Sequence, residues 1–594
     1  MSLIETFIFV KQVNPLKHKI IRLFLITISA VLLVVTVSLI SKKQATSSFS
    51  DVFILWTLSC ITYLIAFIPF HFSIKVRQWI HNNKKEILIV VGLTIIALIL
   101  RFISLGKIPD ILLGDEGNIG VLAKSFANNE SKNIFATVYG TSTMYLMFIG
   151  KFLNILGNNA LGLRITSAIA GTLSIPIIYI LSRRMFNGRV AIITSCLLVF
   201  SHIHLHFSRV IVNGGIQDVL FSMLAFLFLY EGLTKQKKVF FVLSGLTIGV
   251  HLYFYMGGRL MVILVPLLFI SLAILDWKKI RYNIGGIISF FGALLISGFP
   301  MFLFAINHYN EFNARFNQIG IFNGWLSNEV VNSGHSVISI LINQLKDSFL
   351  TINYFPVTAF YNSAYPVLDI IAGSFFVLGL VYSIINIREI RFLILNGWFW
   401  AGIVVNALVV LPYSGVYRIL IILPAVLIFV AVGIEKMTSF SLQFAKNSRI
   451  LVNSSILFLI IISVGINFKE YWIDWVPKCL YGDVGTNFAS RIGVYLASQP
   501  SESQVFLAGA PFIIYGTHAS VDFLSGGIKV KNILDPIKES PKLTVDSGKP
   551  IIFIFAPNRK NEIAFVKNAF PNGEYSEIQD CSDLSMFIYR VMKK

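Results

Sequence analysis

The chain of 594 residues is poor in charge, because Asp, Glu, Lys and Arg together make up only 13% of it. This is about half of the share in an ordinary globular protein. Apolar residues account for 56%, a composition that excludes a soluble globular protein, a disordered chain and a fibrous one. Long apolar runs recur between Ile20 and Phe468. The sequence therefore predicts a polytopic membrane protein.

Motifs for nucleotides and metals are also missing. The sequence has no Walker motif, no GxGxxG after a strand and no HExxH. Their absence argues against a membrane protein that is driven by nucleotide on its cytoplasmic side. His202 and His206 are four residues apart and could share a helical face. No Glu or Cys accompanies them at metal-ligand spacing, so no metal site is predicted.

The chain has only four cysteines. Cys60 and Cys196 lie inside apolar runs, whereas Cys479 and Cys581 fall in the polar C-terminal part. A disulfide between the last two is one alternative if that part lies outside the cytoplasm.

Thirteen apolar segments are candidates for membrane spans, since a bilayer core needs about 20 helical residues. They are 20–40, 52–70, 87–104, 160–182, 190–207, 214–230, 239–257, 259–276, 284–306, 366–387, 391–412, 416–435 and 450–468. The segment Thr141–Gly157 is short and has Lys151 in its middle, so we interpret it as an amphipathic helix in the outer interface.

The distribution of cationic residues predicts the orientation. The formal net charge is +20. With a cytoplasmic N-terminus, the inner segments hold 22 Lys and Arg in 84 residues, and the outer segments hold 11 in 144. The positive-inside rule therefore places three polar regions outside the cytoplasm, namely 105–159, 307–365 and 469–594. The last contains the strand-like stretches Gln504–Leu507, Ile551–Phe555 and Ser585–Tyr589, which predict a small α/β domain.

Acidic residues at the outer membrane boundary are the first candidates for chemistry. Asp115 and Glu116 lie in a GDEG sequence where a loop enters an amphipathic helix. They could cap that helix and suit its dipole, or one of them could be a general base. Asp218 lies at the outer end of the sixth span. It is either an exposed interfacial residue or a second functional acid.

Three arginines near outer span ends form a complementary set, Arg209, Arg259 and Arg418. Each of them alone could snorkel or bind carbonyl groups at a helix end. Together, on a face that is otherwise poor in cations, they predict an anion site, because the guanidinium group suits phosphate.

Four ordered stretches carry a resemblance to a known family. They are RFISLGKIPDILLGDEG (Arg101–Gly117), LRITSAIAGTLSIPIIYILSRRMFNGRVA (Leu163–Ala191), SHIHLHFSR (Ser201–Arg209) and YRILIILPAVLIF (Tyr417–Phe429). With them the chain resembles the C-type (GT-C) membrane glycosyltransferases of the dolichyl-phosphate-mannose–protein mannosyltransferase-like superfamily, which includes aminoarabinose transferases. The resemblance implies an all-α, GT-C-like membrane core at 87–468, preceded by two additional helices within 1–86 and followed by the extracytoplasmic domain 469–594.

The resemblance also implies a function. It is the transfer of a sugar from a polyprenyl-phosphate carrier to a glycan, lipid or protein acceptor on the extracytoplasmic face of the plasma membrane. Asp115 matches the family's catalytic Asp in the first outer loop, and Asp218 is the nearest match to a second acid. Arg418 and Arg259, with Arg209 and Tyr417, are expected near the donor phosphate.

The sequence leaves the role of Glu116 and the class of activity open. Glu116 could orient the acceptor or bind a divalent cation, and no other cofactor or nucleic acid is expected. The alternatives to this transferase are a membrane polysaccharide polymerase or ligase and a transporter of lipid-linked glycans. Transporters place ionisable residues at mid-membrane, whereas the acids here lie at the boundary.

Overall fold

A computed structural model of the chain is mostly helical. It describes residues 15–44, 47–68, 81–130, 132–212, 215–358, 360–411, 416–444, 448–539, 548–579 and 585–592. Within these residues, the first half contains the helices α1 (Pro15–Lys42), α2 (Ser50–Ile65), α3 (Lys84–Phe102), α4 (Gly114–Ala127), α5 (Thr143–Leu156), α6 (Ala160–Met185), α7 (Gly188–Phe200), α8 (His202–Phe207), α9 (Gly215–Lys235), α10 (Lys238–His251), α11 (Gly257–Leu275) and α12 (Trp277–Asn307).

The second half continues with three helices of the loop after α12, α13 (Tyr309–Ile319), α14 (Trp325–Ser333) and α15 (Val337–Leu350). Four long helices follow, α16 (Ile370–Ile385), α17 (Ile390–Leu408), α18 (Leu423–Phe444) and α19 (Arg449–Lys469). A 3-10 helix at Val416–Ile422 leads into α18, and a π-helical turn at Glu470–Trp475 follows α19.

Eight helical segments of the described chain are long and apolar enough to cross a membrane. They are Lys19–Lys42, Ala160–Met185, Gly215–Lys235, Gly257–Leu275, Trp277–Asn307, Ile390–Leu408, Arg418–Phe444 and Arg449–Lys478. Every predicted span overlaps a helical segment, but α2, α7, α10 and α16 have only 13 to 16 residues. A multi-pass helical membrane protein is therefore confirmed, while the number of thirteen spans stays a prediction.

The predicted span 190–207 is not one continuous helix. Ser201 has an extended backbone (ψ 117°) that ends α7, and its hydroxyl accepts a hydrogen bond from the His204 N–H at the start of α8. A Ser at this position caps the new helix and makes the break favourable.

Burial differs strongly between the long helices. In the most apolar stretch of the Arg418–Phe444 segment 89% of the residues are buried, and in α9 72%, whereas α1 and the α19 segment have only 11%. The helix α9 packs against α6 and α10, and α10 packs along α12. The hairpin of α1 and α2 lies at the periphery against α12.

The region 105–159, predicted to lie outside the cytoplasm and called the first outer region below, contains a short hairpin and two helices. The strands β1 (Thr137–Val138) and β2 (Thr141–Ser142) pair antiparallel, and α5 begins directly after them. The helices α4 and α5 pack against each other through Ala123, Tyr145 and Ile149. A helix thus forms where we predicted an amphipathic one, and its place in the interface stays a prediction.

The C-terminal part forms a five-stranded mixed sheet. Its strands are β3 (Gln504–Ala508), β4 (Val530–Asn532), β5 (Ile551–Phe555), β6 (Gly573–Gln579) and β7 (Ser585–Val591), in the order β4-β3-β5-β7-β6. The strand β3 runs parallel to β4 and β5, and β7 runs antiparallel to β5 and β6. All three predicted strands are present, whereas β4 and β6 were not predicted.

Both faces of this sheet are covered by apolar clusters. Val505 and Leu507 face one apolar cluster with helix α20 (Val484–Ala497), while Phe506 and Ala508 face another with α22 (Ile563–Ala569). A strand exposes successive side chains to opposite faces, so β3 is buried on both. Between these elements lies the short helix α21 (Ala519–Leu524), which packs on α4.

The cysteines divide as their sequence context suggested. Cys60 and Cys196 are free thiols, and Cys479 is disulfide-bonded. Cys581 lies outside the described residues.

Candidate functional site

Asp115 is the second residue of α4. The N-cap of that helix is Leu113, and the backbone N–H of Leu113 donates to Glu116 Oε2 at 3.2 Å. Glu116, not Asp115, therefore makes the capping contact predicted for this acidic pair. Asp115 is half-buried, whereas Glu116 is fully buried.

Glu116 forms a bidentate ion pair with Arg164 on α6. Arg164 Nε donates to Oε1 at 3.0 Å and Nη2 donates to Oε2 at 2.9 Å, and both side chains are 0% exposed. The backbone N–H of Ile211 also donates to Oε1 at 3.0 Å. A buried carboxylate is stable only when it is paired and hydrogen-bonded, and Glu116 meets both conditions.

Arg164 also holds the loop that leads into α4. Its Nη1 donates to the carbonyl of Pro109 at 2.7 Å and its Nη2 to the carbonyl of Ile111 at 2.6 Å. Through Glu116 and Ile211, one arginine thus connects the loop 109–113, the start of α4 and the segment before α9. This brings the elements that carry Asp115 and Asp218 together.

Tyr481 completes the surroundings of this ion pair. Burial, followed by the negative charge of Glu116, raises the pKa of the Tyr481 hydroxyl well above its ordinary value. The phenol therefore stays protonated beside the carboxylate and adds no second negative charge there.

The C-terminal part contacts the same loop and helix. Ser490 Oγ accepts a hydrogen bond from the Leu112 N–H at 2.6 Å, and Arg491 pairs with Asp110 at 2.8 Å. On α4, a Cβ placed at Gly117 would lie 2.3 Å from the backbone nitrogen of Ser520. Glycine at this position is what allows α21 to approach α4 so closely.

Asp218 lies in the first turn of α9 and is 7% exposed. Its Oδ1 contacts His251 Nε2 at 2.7 Å, and its carboxylate also hydrogen-bonds the backbone of Gly257. Gly257 begins α11, the helix that carries Arg259. Asp218 thus connects α9, α10 and the start of α11.

Arg209 is fully buried and donates to three backbone carbonyls, those of Leu100 (2.8 Å), Ile103 (2.7 Å) and Ile108 (3.1 Å). Its guanidinium also stacks on Trp472, 5.0 Å from the ring centroid. This is the carbonyl-binding alternative that the sequence left open, and it makes Arg209 a residue that shapes the turn after α3.

Arg259 and Arg418 are half-buried. Arg259 Nη2 donates to the Phe312 carbonyl at 2.8 Å, and its guanidinium lies 3.5 Å from the centroid of the Phe312 ring. Arg418 donates to the Leu411 carbonyl at 3.4 Å from the 3-10 helix that packs against α9 and α17. The side chain of Tyr417 lies outside the described part of the chain.

The histidines of α8 are buried among aromatic rings. His202 contacts the Tyr361 hydroxyl at 3.1 Å and the Pro366 carbonyl at 3.0 Å, and His206 contacts the Phe360 carbonyl at 2.8 Å. Among the described residues, no group of three or more His, Cys, Asp or Glu side chains could hold a metal ion.

Arg164 was not predicted as a functional residue, although it lies within the stretch Leu163–Ala191 that carries the family resemblance. A signal existed, because a charged residue in an otherwise apolar span needs a buried partner. The partner is 48 positions away in the sequence, so its identity was not readable from local spacing. His251 was missed as the partner of Asp218 for the same reason.

The comparisons with known proteins agree with this architecture. Residues 141–302 match the family model of dolichyl-phosphate-mannose-protein mannosyltransferase. No curated protein sequence matches the chain.

Solved structures extend the likeness to most of the chain. The crystal structure of ArnT from Cupriavidus metallidurans bound to undecaprenyl phosphate superposes with a TM-score of 0.53 at 13% identity, over 86% of this chain and 98% of that one. Its apo state gives 0.52 at 13% identity, over 84% and 97%. The oligosaccharyltransferase AglB from Archaeoglobus fulgidus gives 0.48 at 12% identity, over 85% and 74%. The chain thus shares the fold of ArnT over most of its length, and residues 141–302 are similar to the mannosyltransferase family.

Proposed function

We propose that the chain transfers a sugar from a polyprenyl-phosphate carrier to an acceptor hydroxyl on the extracytoplasmic face of the membrane, with Asp115 as the general base. The match of residues 141–302 to the mannosyltransferase family model supports a lipid-linked donor, and a structure of the same fold, ArnT, holds undecaprenyl phosphate. The predicted orientation, with a cytoplasmic N-terminus, places the first outer loop and the C-terminal part on the side of the reaction.

The observation that carries this proposal is the difference between two adjacent carboxylates. Glu116 is 0% exposed and bound by Arg164, whereas Asp115, the preceding residue in the same helical turn, is half-buried. A base must be accessible to the acceptor and held rigidly. Asp115 meets the first condition itself, and the Glu116–Arg164 ion pair provides the second.

The proposed reaction is a single displacement. The acceptor oxygen forms a bond to the anomeric carbon while the bond from that carbon to the carrier phosphate breaks, and its electron pair stays on the phosphate. Asp115 takes the acceptor proton. Such a displacement inverts the configuration of the anomeric carbon.

Cations stabilise the leaving phosphate in this scheme. Arg259 and Arg418 are half-buried. Arg259 lies on α11, which begins at the Gly257 that Asp218 hydrogen-bonds, and Arg418 lies on the 3-10 helix that contacts α9. A guanidinium that meets the growing negative charge of the phosphate lowers the barrier. Arg209 has its donors on three carbonyls, so we assign it to the scaffold.

Glu116 is assigned to positioning rather than to a divalent cation. Its oxygens accept hydrogen bonds from Arg164, Leu113 and Ile211. Asp218 is a positioning residue as well, since its carboxylate orients His251 and the start of α11.

A transfer assay with matched variants tests the proposal. Membranes that contain the wild type are incubated with a labelled polyprenyl-phosphate sugar and extracts that contain acceptors, beside Asp115→Asn and Asp110→Asn. Asp110 lies in the same loop but pairs with Arg491, so its variant should keep transfer while Asp115→Asn loses it. Equal transfer by all three proteins would remove Asp115 as the base. Absence of transfer with every lipid-linked sugar in the wild type would instead favour a polymerase, a ligase or a transporter.

A further inference from the structure

A cavity of about 490 Å³ lies between the additional N-terminal hairpin and the first outer region. Phe49, Phe53 and Ile54, at the connection of α1 to α2, form one wall. Phe126 at the end of α4 and Met147 on α5 form the opposite wall. The N-terminal hairpin and the region 126–154 thus line this cavity together.

The polar side of this cavity is cationic. Lys132 and Lys151 line it together with the amides of Asn129 and Asn154, and no carboxylate is among the lining residues that the structure describes. Within the described chain, neither lysine has an ion-pair partner, although Lys151 lies 5.9 Å from the Phe148 ring centroid. Two lysines in a partly apolar cavity, with no carboxylate among the described lining residues, favour an anionic ligand.

The wall that the hairpin contributes is fixed in place. Trp56 on α2 donates its ring N–H to the Ser297 carbonyl at 3.0 Å, and its ring contacts Tyr253 (5.2 Å) and Phe135 (5.8 Å). Phe135 belongs to the first outer region and Tyr253 to the core. The hairpin is thus packed against both the first outer region and the core, and the cavity is preformed.

The apolar side of the cavity continues along the outside of α2. Ile54 is 56% exposed, and Leu58, Ile61 and Ile65 follow it on the same face with 44%, 46% and 43% exposure. Their spacing of four, three and four residues forms one stripe of a helix. On a predicted span such an exposed apolar stripe faces hydrocarbon chains, and it leads from the bilayer directly to the two lysines.

We infer that this cavity binds the phosphate headgroup of an anionic membrane lipid. Lys132 and Lys151 contact the phosphate, the asparagine amides donate to its oxygens or to the headgroup, and an acyl chain follows the stripe from Ile54 to Ile65. Asp115 and Phe126 lie at opposite ends of α4, about 16 Å apart at 1.5 Å per residue. The lipid is therefore a second one, bound away from the reacting groups, and the inference stands whether or not sugar transfer is the activity.

Lipid retention by the purified full-length chain tests this inference. The protein in detergent is titrated with dioleoyl-phosphatidylglycerol or dioleoyl-phosphatidylcholine, and bound lipid is counted by native mass spectrometry. The wild type should prefer phosphatidylglycerol. The variant Lys132→Gln/Lys151→Gln should bind it about thirtyfold more weakly, since each lysine near a membrane surface adds about fivefold.

Two controls separate charge from site. The variant Lys529→Gln/Lys538→Gln removes the same charge from exposed positions in the C-terminal part, and it should bind as the wild type does. Ile54→Ser should weaken binding of the lipid although the charge is unchanged. Thermal unfolding of each variant shows that it is folded.

Four outcomes would overturn the inference. They are retention of phosphatidylglycerol by the double lysine variant within threefold of the wild type, equal loss in the C-terminal control, equal binding of phosphatidylcholine by the wild type, and displacement of the lipid by inorganic phosphate at the same concentration. The last result would show a site for free phosphate rather than for a lipid.

Discussion

Arg164 holds Glu116 by two parallel hydrogen bonds of 3.0 and 2.9 Å, and neither side chain has any contact with solvent. This pair joins α6 to the first turn of α4, where Asp115 is the preceding residue. The candidate base is therefore attached to the membrane part by its neighbour in the sequence. The geometry of Asp115 depends on an ion pair in which it takes no part.

Removal of the charge of Glu116 should destabilise the protein. In Glu116→Gln the Arg164 guanidinium stays buried without its counter-ion, at a cost of about 3–5 kcal/mol. We expect a clearly lower midpoint of thermal unfolding in detergent. Turnover per folded molecule should also fall, because the first turn of α4 loses its anchor.

A surface pair provides the control for this variant. Glu86 pairs with Arg183 at 3.1 Å, but about two fifths of each side chain is exposed. The loss of such a pair costs about 0–1 kcal/mol, so Glu86→Gln should unfold near the wild-type temperature. Equal midpoints for Glu116→Gln and Glu86→Gln would contradict a structural role of the buried pair.

The approach of α21 to α4 should depend on Gly117. A methyl group at this position would lie 2.3 Å from the nitrogen of Ser520 and 2.7 Å from the carbonyl carbon of Ala519. Because these are backbone atoms, Gly117→Ala should cost about 1–3 kcal/mol and expose the C-terminal part to limited proteolysis.

Gly114 is the matched control on the same helix, since a Cβ there has no neighbour within 4 Å. Gly114→Ala should leave the proteolysis pattern unchanged. If both alanine variants were cleaved at the same rate, the contact between α4 and α21 would not hold the C-terminal part.

Arg259 and Arg209 should respond differently to neutralisation. Arg259 is half-buried, and as a ligand of the donor phosphate it should contribute one or two charge-assisted hydrogen bonds, so Arg259→Gln should raise the KM for the donor about tenfold or more. Arg209→Gln leaves three buried carbonyls without their donor and should lower the unfolding temperature instead. Donor titrations and thermal unfolding of both variants measure this difference. A larger KM effect for Arg209→Gln would reverse the two assignments.

Much of the fold was predictable because it depends on local patterns. Apolar runs of the required length marked all the long helices of the membrane part, and short apolar stretches between turn residues marked β3, β5 and β7. The break at Ser201 was not predicted, since the apolar run continues through it and only the cap reveals it. The strand β6 is largely exposed, so its sequence has no apolar pattern to detect.

The candidate site was predictable only in part. Asp115 and Glu116 were found together, but their different burial depends on Arg164, which comes from another helix. For Arg209, the sequence was compatible with either phosphate or carbonyl groups as ligands. The structure shows that its guanidinium binds carbonyl groups in the turn after α3. The sequence did not reveal the cavity beside the additional hairpin, since its lining residues are spread from Ser48 to Asn154.

A single-turnover measurement on purified Asp115→Asn tests the central claim most directly. The variant and the wild type are mixed with labelled polyprenyl-phosphate sugar and acceptor, and the chemical step and donor binding are measured separately. Asp115 as the base predicts a donor Kd within about twofold of the wild type and a chemical step that is slower by about 10²–10⁴-fold. A chemical step within threefold of the wild-type rate would contradict the account.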